Sequence, residues 1–138
     1  MRALVRRWVP WLLVAMAACA YLDSARLESA RSRWRAASVA DYSFRYRTTG
    51  FAERVDIRVT VAAGRVTDVE RLGGALDVAE EAAPTIDALF DEIALSLDDG
   101  DVHVSVGYDA ALGYPVTVTF DYGGEADGFD VSEFVSSS

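Results

Sequence analysis

The chain has 138 residues, of which 51% are hydrophobic, a length that suits one ordinary domain with its own core. Its formal charge is −9, with no lysine and a single histidine. A domain this acidic is repelled by nucleic acid and by anionic membrane surfaces, so nucleic acid is excluded as a partner.

The N-terminus has the layout of a bacterial export signal. Arginines come first, an apolar run follows from Trp8 to Ala18, and small residues lead to Cys19, the only cysteine. This apolar run is shorter than the roughly 20 residues that a membrane-spanning helix needs. The tetrapeptide Met16-Ala17-Ala18-Cys19 resembles the lipobox of bacterial lipoproteins, in which the cysteine is acylated and becomes the new N-terminus.

We therefore expect a signal peptide over residues 1–18, a lipidated N-terminus and tether over residues 19–26, and a single domain over residues 27–138. The acyl chains on Cys19 would hold the protein to a membrane of the bacterial cell envelope, facing the periplasm or the exterior. A plain secreted protein and an uncleaved anchor are the alternatives. Acylation of Cys19 leaves no thiol for a disulfide, a cysteine nucleophile or a metal ligand.

The first half of the domain predicts one helix and three strands. In "RLESARSRWRAAS", apolar residues recur at the helical spacing, with Asp23 or Ser24 as the expected cap. "DYSFRYR" alternates as a half-buried strand does. "RVDIRVTVAAGRVTDVERL" predicts a hairpin whose turn places Gly64 at positive φ.

The second half predicts the same order again, after a loop over residues 73–84. "TIDALFDEIALSLDDG" predicts a helix that Thr85 caps and that stops at Gly100. Residues 102–108 and 116–122 alternate as two strands, and "FDVSEFV" predicts a sixth strand at the sheet edge. The expected fold is α+β in the order α-β-β-β-α-β-β-β, with one antiparallel sheet of about six strands and both helices on one face.

The segment between the fourth and fifth strands has the chemistry of a tight turn. Asp109 can accept hydrogen bonds from the turn backbone, Gly113 can take positive φ, and Pro115 fixes the entry of the returning strand. Tyr108 and Tyr114 have apolar bodies that can close one end of the core. We interpret this segment as a structural turn rather than an active-site loop.

The combination of "DYSFRY", "VTVAAGRVTDV", "TIDALFDEI" and "VGYDAALGYPVTVTFD" resembles a family of small bacterial secreted proteins and lipoproteins called domain of unknown function 6174. The resemblance covers roughly Trp34 to Val135. It implies the same fold and envelope location, and it implies no activity.

The predicted open face of the sheet carries the candidate binding residues. A polar ligand surface is one interpretation, and an ordinary solvated face is the other; its residues would be Arg45, Arg47, Arg58, His103 and Asp121. His103 has no predicted nucleophile and acid that would complete a catalytic triad. A zinc site with one histidine and no free cysteine is also disfavoured. We predict no catalytic residue, no metal and no cofactor.

Charge is divided unevenly along the chain. Residues 73–138 carry 15 acidic residues and no arginine, whereas residues 20–72 carry 10 arginines and 7 acids. One interpretation is that the two halves neutralise each other in one fold, and the other is that the acids form a docking face for a cationic partner or for calcium. The preferred function is a non-enzymatic binding module for a peptide, protein or envelope component; the alternatives are an envelope hydrolase and an inhibitor or chaperone-like module.

Overall fold

The computed structural model describes residues 9–137, and only the backbone of those before Tyr21. The basic start of the predicted signal peptide, the Cys19 side chain and Ser138 lie outside this description. The elements follow the predicted order, which is thereby confirmed: α1 (Val9–Ala37), β1 (Tyr42–Gly50), β2 (Val55–Ala62), β3 (Arg65–Gly74), a short 3-10 helix (Glu80–Ala82), α2 (Ile86–Leu97), β4 (His103–Tyr108), β5 (Pro115–Asp121) and β6 (Ala126–Ser136).

The six strands form one antiparallel sheet in the order β3-β2-β1-β6-β5-β4. Each half of the chain contributes a three-strand meander, and the two meanders join where β1 pairs with β6. The prediction of β6 as an edge strand is therefore wrong. It lies at the centre of the sheet because Phe129 and Val131 are buried in the core while both of its backbone edges are paired.

One face of the sheet and both helices enclose a single apolar core. Alternate strand residues point into it, as the period of two predicts. The hairpin turn between β2 and β3 is also confirmed, with both Ala63 and Gly64 at positive φ. The core side chains are Leu27, Ala30, Trp34, Tyr42, Phe44, Ile57, Val59, Val61, Ile86, Leu89, Phe90, Ile93, Val104, Val118, Phe120, Phe129 and Val131.

Helix α1 is longer than the sequence pattern predicts. It continues without interruption through residues 20–26, so the predicted cap at Asp23 or Ser24 is wrong. Both residues lie within the helix and outside the core. The neighbouring alanine, leucine and arginine residues have good helix propensity, so the helix continues past them. Within the described residues, no helix combines the length and the apolar character needed to cross a membrane.

Helix α2 begins as predicted. The Thr85 hydroxyl oxygen accepts a hydrogen bond from the backbone N–H of Ala88 at 3.1 Å. A second cap comes from the sheet, because the Tyr42 hydroxyl oxygen accepts a hydrogen bond from the N–H of Ile86 at 3.0 Å. The helix ends at Leu97 with a right-handed cap at Asp98, so the predicted stop at Gly100 lies beyond its end.

Candidate functional site

The three predicted arginines come together on the open face of the sheet, opposite the helices. Arg45 donates two hydrogen bonds to Asp56, from Nε to Oδ1 at 2.8 Å and from Nη2 to Oδ2 at 2.7 Å. Arg58 donates to Glu133 at 2.9 Å, and an Arg47 nitrogen lies 3.7 Å from an Asp130 oxygen. Each candidate arginine therefore already has a carboxylate partner.

This pairing changes the electrostatics of the open face. The hydrogen bond from Arg45 holds the pKa of Asp56 below its usual range, and the same bond raises the pKa of Arg45. Several pairs join the arginine-rich first half to the acidic second half: Arg47 with Asp130, Arg58 with Glu133, and Arg31 of α1 with Asp91 of α2. Neutralisation within the fold, one of the two interpretations of the uneven charge, therefore accounts for this face.

His103 and Asp121 lie apart from the arginines. They face each other across β4 and β5, at the far edge of the sheet. Three strand spacings separate β1 from β4, which is about 14 Å. The five candidate residues thus form two separate groups on the open face.

The His103 group is open to solvent. The backbone N–H groups of Gly123 and Gly124 hydrogen-bond to Asp121 and lower its pKa, and the proximity of His103 acts in the same direction. His103 borders two shallow cavities, of about 130 and 340 Å³. Among the described side chains, no hydrogen bond joins His103 to Ser105 or to Asp121.

The turn between β4 and β5 is built by local hydrogen bonds. Asp109 Oδ2 accepts from the N–H of Ala111 at 3.1 Å and from that of Leu112 at 2.7 Å. Gly113 has a φ of 85° and lies against α1, where a Cβ would collide with the carbonyl oxygen of Ala30. The turn thereby docks directly onto the first helix.

Aromatic rings complete this corner of the core. The rings of Tyr114 and Phe134 stack with centroids 4.5 Å apart, and Trp34 packs edge-on against Tyr42 at 5.3 Å. Tyr108 stacks on Phe90 at 6.3 Å, beneath the guanidinium of Arg26. The Tyr, Gly and Pro residues of the turn therefore contact the core and α1.

A surface that the sequence patterns did not locate lies at the end of the sheet away from the turn between β4 and β5. Strands β1 and β5 finish there, and β6 begins there. Its large side chains are exposed, at 77% for Phe51, 73% for Leu95 and 53% for Tyr122. Carboxylates lie near Tyr122, whose pKa is raised by burial and by the charges of Asp127, Glu92 and Asp99. We call this surface the acidic–aromatic end and define it by Phe51, Glu92, Leu95, Asp99, Tyr122 and Asp127. The sequence signal that bears on it is the acidic excess of residues 73–138, for which a docking face for a cationic partner was one of the two interpretations.

Calcium was one interpretation of the acidic residues. In the part of the chain that the structure covers, no three histidine, cysteine, aspartate or glutamate residues are arranged to hold a metal ion. The described carboxylates are distributed over strands, helices and loops.

Comparison with known families identifies the family of the chain. The profile of a group described as Family of unknown function (DUF6174) matches residues 26–135. The chain belongs to the DUF6174 family. Comparisons with functionally curated proteins and with solved structures gave no significant match. The DUF6174 match begins within α1 and spans all six strands, so it covers the folded body and leaves Cys19 outside.

Proposed function

We propose that this chain is a lipid-anchored protein of the bacterial cell envelope whose domain binds a protein, peptide or envelope component and catalyses no reaction. The observation that carries the proposal is the course of α1. Its inner turns are held in the core by Leu27, Ala30 and Trp34, and its outer turns continue through Cys19 to Val9.

The helix acts as a spacer between the anchor and the body. Cys19 precedes Leu27 by eight residues, which at 1.5 Å per residue is about 12 Å of helix. A lipid on Cys19 would therefore hold the folded body close to the bilayer and limit its reach. The acidic composition favours this arrangement, because repulsion from anionic lipid keeps the domain surface free for a partner.

The anchor is tested in cells that express the full chain. Metabolic labelling with an alkyne fatty acid should mark the protein, and Cys19→Ala should abolish the label. Ser24→Ala, which changes an exposed position further along the same helix, is the matched control and should keep it. Equal labelling of the chain with and without Cys19 would refute the anchor.

Binding is favoured over catalysis by the state of the polar groups on the sheet. The arginines are paired with carboxylates, and His103 lies exposed on an edge strand. An active site instead needs a nucleophile, a base and an orienting acid within hydrogen-bond reach.

One observation supports the alternative of an envelope hydrolase: His103 lies directly opposite Asp121 in the strand register. A panel of ester, amide and glycoside substrates tests this alternative with the full chain and with His103→Ala. Turnover that disappears in His103→Ala would establish the hydrolase and overturn the binding proposal. An inactive panel, together with specific retention of an envelope component by the full chain, would support binding.

A further inference from the structure

The acidic–aromatic end joins three segments of the chain through the strand register. Asp127 lies opposite Gly50 of β1 and opposite Phe120 of β5. The N–H of Phe51 donates to the carbonyl of Ala126 at 3.2 Å, and the N–H of Tyr122 donates to that of Glu125 at 2.9 Å. Phe51 and Tyr122 therefore lie on either side of β6, about 10 Å apart.

Three of the six large hydrophobic side chains that are exposed among the described residues lie at this end. Single exposed hydrophobic residues are ordinary on a protein surface, whereas a group of large ones marks an interaction site. Here three of them, Phe51, Leu95 and Tyr122, lie at the end of the sheet and on the last turn of α2.

The carboxylates of this end differ from those of the open face. In the structure as described, no arginine or histidine nitrogen lies within 4.0 Å of Glu92, Asp99 or Asp127. Burial and the neighbouring Asp127 raise the pKa of Glu92. Arg54, the arginine nearest to Phe51 in sequence, borders a groove with Arg47, Gly50 and Asp56. Among the described residues, these three carboxylates therefore have no ion-pair partner.

A cation that approached this surface would relieve the repulsion between Glu92 and Asp127. Since the described residues form no metal cluster here, a polypeptide cation suits the surface better than a metal ion. Its apolar side chains would cover the exposed aromatic rings, as in the core of a protein interface.

We propose that the acidic–aromatic end is the docking surface for a cationic segment of another protein. The lysine or arginine side chains of this segment pair with Glu92 and Asp127, and its apolar side chains pack on Phe51 and Tyr122. This inference extends the proposed function by naming its surface and partner class. It rests on the binding part of that proposal and not on the anchor.

The test uses the full chain in detergent micelles and a fluorescent peptide of alternating lysine and leucine. Fluorescence anisotropy should show binding that weakens with salt. The double variant Glu92→Gln with Asp127→Asn should bind roughly tenfold more weakly. Because it removes like-charge repulsion, its thermal stability should be equal or higher, which separates lost binding from unfolding.

Two further variants sharpen the result. Phe51→Ser with Tyr122→Ser should also weaken binding, since it removes the apolar contacts. Glu80→Gln with Glu81→Gln removes the same charge from the exposed 3-10 helix and should bind the peptide as the unaltered chain does. Equal loss in this control would show that only net charge matters and would overturn the proposal, as would full affinity in both variants of the acidic–aromatic end.

A membrane is the competing occupant, because the N-terminal part of α1 leaves the body at this end, where Asp23 and His103 border one cavity. A polarity-sensitive dye on Phe51→Cys, in the Cys19→Ala chain mixed with lipid vesicles, reports insertion. A blue shift without peptide would assign the surface to lipid and overturn the proposal. A dye that stays in water until the peptide is added would support it. Since neither peptide binding nor this readout uses the lipid on Cys19, a failed anchor and a failed docking surface remain distinguishable.

Discussion

Tyr42 links the sheet to α2 through one hydroxyl group, and Tyr42→Phe removes that hydroxyl alone. Tyr42 is 2% exposed and Ile86 is fully buried, so water cannot replace the lost partner of the Ile86 N–H. Leaving a buried N–H without an acceptor costs about 2 kcal/mol. For a domain of this size, that cost lowers Tm by about 10 °C.

Denaturant unfolding, followed by circular dichroism and by tryptophan fluorescence, measures the loss. The midpoint should fall while the slope m stays constant, since the surface exposed on unfolding is unchanged. Tyr21→Phe is the matched control. Because Tyr21 is 74% exposed, removal of its hydroxyl leaves no buried group without a hydrogen-bond partner, and the free energy of unfolding should not change. A loss in Tyr42→Phe below about 0.5 kcal/mol would show that the hydroxyl does not cap α2 and would refute the reasoning.

Three other outcomes are expected. Alkaline titration should destabilise the fold between pH 10 and 12. Burial raises the pKa of Tyr42, Tyr46 and Tyr108 from 10.0 to about 12, so the unfolded chain loses protons that the folded chain keeps. Tyrosinate absorbance and circular dichroism should show ionisation and unfolding together, whereas tyrosine titration near pH 10 without unfolding would contradict this. Gly113→Ala should lower the free energy of unfolding by more than Gly123→Ala, because both have positive φ but only Gly113 has a close neighbour, and equal losses would contradict the docking of the turn. Arg26→Ala should promote self-association through β4, because Arg26 covers the carbonyl of Val106 at the free edge; light scattering that shows an unchanged mass would argue against this protection.

Local patterns in the sequence predicted the individual elements well. Alternation identified the strands, and the Thr85 cap with its apolar stripe identified α2, because these signals depend on neighbours within a few residues. The turn at Gly113 was predictable for the same reason.

Pairings between distant residues were not predictable. The central place of β6 depends on partners such as Tyr46 and Val131, which lie far apart in the chain. The same register brings Arg47 to Asp130 and so neutralises a face that the sequence alone left as a candidate ligand surface. The acidic–aromatic end is assembled from a loop, a helix flank and a strand start, so no single segment carries its pattern.

The central position of β6 also sets the order of events during synthesis. The two meanders cannot join until the last strand, Ala126–Ser136, is available to β1 and β5. A nascent chain therefore has no continuous sheet until β6 has been made, and long-range closure of this kind is slow. For the exported protein proposed here, such late closure would keep the polypeptide threadable through a narrow translocation pore and defer folding to the far side.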